Sequence, residues 1–280
     1  RLFSRCIFAL KQIIEIMKTK KILKILVFSC LLFTTTHTGC SQDVMFRAFA
    51  GEIAAERPTI GCFMPSQAAF HIRDDFCVKE MMFAELAGQI TLRKNVILGS
   101  VNHYGYANYG ELGLSVGYGR NFGDRFAMTA RIFYLMAHAR SYPVRHSFCV
   151  DFGIACRLSP KLLFDVTAYN PFMLRYGIVG QEVIPMRFTV GCAYPPVRKL
   201  LAALAVSKTL PGAWEVDCRF TTQPAEPLFL AAECSNVRLG VYVGWRHKRM
   251  LLSVRAAWHY RVALSPEIGG FYFYDETMKR

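Results

Sequence analysis

Several things are scarce or missing in these 280 residues, and each shortage removes a class of protein. Charged residues make up only 19%, and acids are the scarcer sign, with 20 Asp and Glu against 34 Lys and Arg. Disordered chains are built the other way, with few apolar residues and many charges; here apolar residues reach 53%. Twenty Gly and 12 Pro are ordinary numbers, so collagen-like and low-complexity designs are excluded. No apolar run reaches the roughly 20 residues that a membrane helix needs. No Cys-X-X-Cys occurs, so the closely paired thiolates of a zinc site are lacking, and no cofactor or metal is expected.

The net charge of +14 divides unevenly. Residues 1–41 hold seven basic groups and one acid; the rest of the chain holds 27 and 19. The basic residues of that larger part come with no nucleic-acid-binding motif, so nucleic acid is not an expected partner. The N-terminal excess belongs to an address label. Met17-Lys18-Thr19-Lys20-Lys21 is a basic n-region, an apolar run follows over 22–33, and Gly39, Cys40 and Ser41 are small. This is the layout of a secretory signal peptide over 17–41, with 1–16 read as translation from a misplaced upstream start. Two processing chemistries compete. Gly39 and Ser41 suit cleavage before Gln42, while Thr38-Gly39-Cys40 is similar to the end of a lipobox with Cys40 lipidated. Either way the mature protein leaves the cytoplasm.

Seven of the ten cysteines lie beyond the signal: Cys62, Cys77, Cys149, Cys156, Cys192, Cys218 and Cys234. They are widely spaced and odd in number, and they read as small apolar fillers. Cys62 and Cys77 are the pair considered for a disulfide.

From residue 84 onward the hydrophobic period is two. In 111–122, Leu112, Leu114, Val116 and Tyr118 alternate with Glu111, Gly113, Ser115, Gly117 and Gly119. Successive strand side chains point to opposite faces, so one face is greasy and the other small or polar. The pattern predicts strands at 70–74, 84–92, 96–104, 111–122, 126–138, 147–158, 162–169, 186–194, 199–208, 213–222, 228–234, 237–247, 250–261 and 267–274. Turn signals such as Gly123-Asp124, Pro195-Pro196 and Pro211-Gly212 separate them. Many strands are long enough to cross a bilayer when tilted.

Two architectures make this pattern. A soluble exported β-sandwich, acting as a binding module, hides its greasy face inside. A closed antiparallel transmembrane β-barrel of about 14 strands turns that face to lipid and its polar face to the lumen. The barrel is preferred. Trp214, Trp245 and Trp258, with Tyr118, Tyr134, Tyr194 and Tyr260, fall near strand ends on the greasy face, where interfacial girdles sit, and the export signal supplies a route. The expected location is the cell outer membrane, with its lipid as partner. The barrel takes up 67–280, after a short irregular arm or plug at 42–66 in which Phe46, Phe49, Ile53 and Ala54 follow a rough helical spacing.

Inside such a barrel the charges are the candidate functional groups: Arg131, Asp151, Arg157, Asp165, Arg187, Glu215, Asp217, Arg219, Arg238, Arg246 and Arg255. They make either a selectivity lining or a ladder of cross-strand ion pairs, and both readings place them inward. A catalytic site is not expected. His146 and Ser147 are strand neighbours on opposite faces, and Ser253 lies six residues from His259, about 20 Å along a strand.

Four phrases carry a resemblance: Phe76-Cys77-Val78-Lys79-Glu80-Met81; Tyr118-Gly119-Arg120-Asn121-Phe122-Gly123-Asp124-Arg125; 164–171, ending in Tyr169-Asn170-Pro171; and 259–268. In order and spacing they resemble the PorV/PorQ-type outer-membrane barrels of bacteria with type IX secretion, related in fold to FadL-type fatty-acid channels. The resemblance implies a non-enzymatic accessory barrel with secretion-system proteins as partners. The alternative it implies is passive, FadL-like transport of a small hydrophobic molecule of unknown identity. FadL-like proteins carry an Asn-Pro-Ala turn near the N-terminus; here that stretch reads Phe63-Met64-Pro65-Ser66-Gln67-Ala68-Ala69, without it.

Overall fold

A computed structural model describes residues 57–274, except 160, 177–182, 198 and 261–262. The expected signal peptide, the upstream extension and the helical spacing at 46–54 lie outside the described residues.

Alternation becomes a cylinder. The strands are β1 (Gln67–Asp74), β2 (Met82–Leu92), β3 (Asn95–Tyr106), β4 (Tyr109–Phe122), β5 (Phe126–Ala139), β6 (Arg145–Arg157), β7 (Leu163–Tyr169), β8 (Met186–Val197), β9 (Leu200–Leu210), β10 (Trp214–Ala225), β11 (Leu228–Ser235), β12 (Arg238–His247), β13 (Met250–His259) and β14 (Leu264–Phe273). Each pairs antiparallel with its sequence neighbours, and β1 pairs with β14, so the sheet closes. Ala69, for example, stands opposite Phe271 on one side and Ala87 on the other.

The greasy face is the outside. Val116 is 69% exposed while its neighbour Ser115 is 5% exposed, and Val241 (59%) and Val254 (58%) flank inward Gly240 and Arg255 in the same way. Leu112 and Val150 also take outward positions, half-buried among their neighbours. No second sheet covers this face among the described residues, which rules out the sandwich. An apolar exterior on a closed sheet is the arrangement that lets strands cross hydrocarbon, because every backbone donor and acceptor within it has a partner. Two aromatic bands mark the ends. Trp245, Tyr118 and Tyr194 lie toward the short-turn end, and Trp214, Trp258 and Tyr260 toward the other, all exposed.

Two readings of the sequence need correction. Pro195-Pro196 does not end a strand: β8 runs on to Val197, with a register shift against β9 between Tyr194 and Val197. β10 likewise continues through Pro224, with its shift against β11 between Thr222 and Ala225. Proline lacks the N–H that a regular ladder requires, and a bulge removes that requirement. The Cys62–Cys77 disulfide is absent, and both thiols are free. Cys62 is buried in the lumen near the short-turn end, whereas Cys77 is exposed at the opposite rim.

The membrane-facing assignment has a measurable consequence. Val241→Arg puts a cation on the outward face midway along β12, where it costs about 2–4 kcal/mol. The heat transition of the folded form on unboiled gels should fall clearly in lipid vesicles. A transition equal to that of the parent protein would mean that this face does not meet lipid.

Candidate functional site

Fourteen strands enclose more room than their own inward side chains fill, so the site begins with what occupies the lumen. Residues 57–66 run inside the barrel at the short-turn end. Their helix α1 (Pro58–Gly61) is a single turn, started by Pro58, whose missing N–H costs nothing at a first helical position. So short a helix is not stable alone; the wall holds it. All four of its residues are buried. Ile60 and Met64 pack into a cluster of inward apolar residues that includes Leu163, Leu201, Phe229, Leu251, Phe271 and Phe273. These residues break the polar-inside rule only at the strand ends that surround α1.

Polar contacts fix the segment further. The Arg57 guanidinium donates to Asp165 Oδ1 at 2.8 Å, an ion pair in which Asp165 is fully buried. The hydroxyls of Thr59 and Thr129 lie 2.8 Å apart. Gln89 Nε2 donates to the carbonyls of Gly61 and Pro65, both at 2.9 Å, and Asn121 Nδ2 donates to that of Cys62 at 2.7 Å. The ring of Phe63 lies 4.9 Å from the Arg157 guanidinium. Glycines make room for this close approach. A Cβ at Gly153 would collide with Thr59 Oγ1, one at Gly191 with the Arg57 guanidinium, and one at Gly119 with Cys62 Sγ. Burial pushes the Cys62 thiol up to about 12, which leaves it an uncharged packing group.

The opposite half of the lumen is ionic. Glu233 is its hub, accepting from Arg219 Nη2 at 3.0 Å, from Arg238 Nε at 2.8 Å and from Arg255 Nη2. Arg238 reaches Asp217 at 3.8 Å. Arg255 reaches Glu267 at 3.3 Å, and Glu267 also meets His71 Nδ1 at 3.1 Å. Across the barrel Arg131 and Asp151, direct register partners on β5 and β6, form an ion pair. Arg187 contacts the Thr209 hydroxyl at 3.3 Å and, with Glu215, borders a cavity of about 460 Å³ whose floor is Arg57. Arg246 stands apart, near the turn after β12, donating to the Lys248 carbonyl at 3.4 Å. All eleven charged candidates thus occupy inward strand positions. Six of them (Asp217, Arg219, Arg238 and Arg255, with Asp165 through Arg57 and Arg157 through Phe63) contact either the Glu233 network or residues 57–66, while Arg187 and Glu215 face the cavity.

Sequence reasoning missed the hub itself. Glu233 is the sole acid of β11 and stands directly opposite Arg219, a pairing that needed the register to be seen. Arg57, His71 and Glu267 were missed as well. The pentapeptide pattern Gly-X-Ser-X-Gly of serine hydrolases is present at 113–117, but it lies mid-strand in β4, and Ser115 Oγ is 2.7 Å from Ser100 Oγ. A nucleophile elbow needs a sharp strand-to-helix turn.

The other mouth is narrowed by the connection between β7 and β8. Asn170, at φ 48° and fully buried, donates to the Ile184 carbonyl at 2.8 Å and accepts from the Leu174 N–H at 3.0 Å. Ile184 packs inward against Phe133 and Cys149. Asn tolerates this left-handed conformation better than most residues, and the following Pro171 begins the turn.

Neither a protein-family model nor a curated protein sequence matches this chain. Solved structures do. The toluene transporter TodX of P. putida aligns with 78% of this chain and 93% of its own at a TM-score of 0.58 and 7% identity. A FadL homologue of Pseudomonas aeruginosa aligns over the same shares at 0.56 and 7% identity. A deltaS2S3 mutant of the TodX monoaromatic hydrocarbon channel covers 76% and 91% at 0.57 and 9% identity. At these identities the likeness is one of fold: the chain is a closed β-barrel of the outer-membrane type, built as the FadL-like channels are.

Proposed function

We propose that this protein is a passive channel of the outer membrane for small amphipathic molecules, with residues 57–66 as the plug that closes it. The observation that carries this reading is the plug's seat. It is non-covalent and complementary, with wall glycines where Arg57, Thr59 and Cys62 come close, and Arg57 borders a cavity large enough for a small solute. The fold shared with TodX and the FadL homologue supports it. Of the eight charged groups that line the cavity, Arg57, Arg73, Arg219, Arg238, Asp217 and Glu233 are tied into ion pairs, which leaves Arg187, Glu215 and the hydroxyls of Thr189 and Ser207, 2.9 Å apart, to meet a solute. That chemistry suits a molecule with a polar head and little net charge. On this reading the Glu233 network is the fixed wall and α1 the movable part.

A second reading keeps the accessory role in type IX secretion. It rests on the order of the sequence phrases, two of which do structural work: Gly123, at φ 70°, makes the β4–β5 turn, and Asn170 ties down the mouth loop. Co-purification with secretion components, from a protein that never conducts, would favour it.

Three substitutions separate gate from wall. Gly153→Val drives a side chain into Thr59 and should unseat α1, raising single-channel conductance in planar bilayers well above the parent's; Arg57→Ala, which removes the ion pair without touching the wall, should do so more weakly. Parent-like conductance in both would sink the plug assignment. Glu233→Gln leaves three arginines facing a neutral amide, a loss of about 3–5 kcal/mol by analogy with broken buried pairs. The heat transition should drop while the conductance stays low.

A further inference from the structure

The outer surface carries a feature that the channel reading does not use. Cys218 on β10 and Cys234 on β11 are direct register partners, and both point away from the lumen. One residue further along each strand, Arg219 and Glu233 are also direct partners, facing inward and ion-paired. The same two strands are therefore held together on the inside by the hub of the ionic network, with two free thiols facing each other on the outside.

We propose that Cys218 and Cys234 form a cross-strand disulfide on exposure to a disulfide-carrying oxidant, stapling β10 to β11 at the register the Glu233 network requires. Geometry selects this pair. Directly opposed residues of antiparallel strands have Cα atoms about 4.5–5.5 Å apart, inside the range a disulfide spans. Cys192 lies in the same row but one strand further, since both it and Cys218 pair with Leu204. Two strand spacings come to about 9–10 Å, beyond reach. Access is also favourable. Cys234 is exposed one residue before the end of β11, its sulfur 4.0 Å from the Tyr260 hydroxyl, and Trp214 begins β10 on the same rim. This is the depth of the aromatic band, where water meets lipid.

The chemistry is thiol–disulfide exchange. One cysteine, as thiolate, attacks a sulfur of the incoming disulfide, forming a mixed disulfide and expelling a thiolate. The second cysteine, deprotonated in turn, attacks the protein-side sulfur, closing the Cys218–Cys234 bond and expelling the other thiolate. Two protein thiols are oxidised, one disulfide is reduced, and the two protons pass to the leaving thiolates.

The test uses the purified full-length barrel in lipid vesicles, incubated with oxidised glutathione, then alkylated with maleimide and digested. The expected product is a linked peptide pair containing Cys218 and Cys234, with maleimide labelling at both reduced at least tenfold relative to protein kept in reductant. Cys218→Ser should instead leave Cys234 as a glutathione adduct. The heat transition of the oxidised parent should lie above that of the reduced parent, and Cys218→Ser should abolish the difference. Both cysteines ending as separate glutathione adducts, remaining free, or linking to Cys192 would overturn the proposal; the parent measurement decides this even if the variant fails to insert.

Discussion

Hydrocarbon offers no hydrogen bonds, and the rest of this structure follows from that. A sheet placed in lipid must satisfy every peptide group internally, and only closure leaves no edge. The pairing of β1 with β14, from Gln67 opposite Phe273 to Arg73 opposite Glu267, is what makes the other thirteen pairings stable in that setting. Closure then sorts the side chains. Alternation sends Val116, Val241 and Val254 outward to lipid and forces every mid-strand charge inward, where it needs a counter-charge.

The interior meets that requirement in two ways, divided along the barrel axis. Toward the short turns, apolar inward residues and a returning piece of chain build a small hydrophobic core, with Ile60 and Met64 as its centre. Away from them, the network around Glu233 neutralises Arg219, Arg238 and Arg255 with Asp217, Glu233 and Glu267. Buried ion pairs of this kind rarely add net stability over well-packed apolar groups, but they are costly to break singly. They are better at fixing register and keeping the wall rigid while leaving polar space beside it. Arg187 and Glu215 border that space.

Much of the fold was legible because a period of two, repeated fourteen times, leaves few alternatives. The inward direction of Asp151 or Arg255 follows from parity alone. Who meets whom does not. The Arg219–Glu233 and Arg131–Asp151 pairs depend on cross-strand register, which parity does not give, and the bulges at Pro195-Pro196 and Pro224 look like strand ends in a linear reading. Residues 57–66 were harder still, since a one-turn helix has no periodicity of its own. Their trace was present in another form. Leu200-Leu201, Leu228-Phe229-Leu230, Met250-Leu251-Leu252 and Phe271-Tyr272-Phe273 are runs in which alternation fails. A strand with apolar residues on both faces must be covered on both, by lipid outside and by something within. All four runs lie at the short-turn end, where the plug sits.

The glycines of the wall point the same way. On a lumen face crowded with charges, a bare backbone position is a loss of packing unless another part of the chain comes close. Gly119, Gly153 and Gly191 lie on three different strands, β4, β6 and β8, yet each is filled by a different residue of one short segment: Cys62, Thr59 and Arg57. Such a seat specifies the segment by shape, and its hold is non-covalent throughout: the Arg57–Asp165 ion pair, hydrogen bonds worth about 1 kcal/mol net each, and the apolar contacts of Ile60 and Met64. Under the proposed channel role, a segment seated by shape and held without a covalent bond is one that can leave and return, which a strand locked into the closed ladder cannot do.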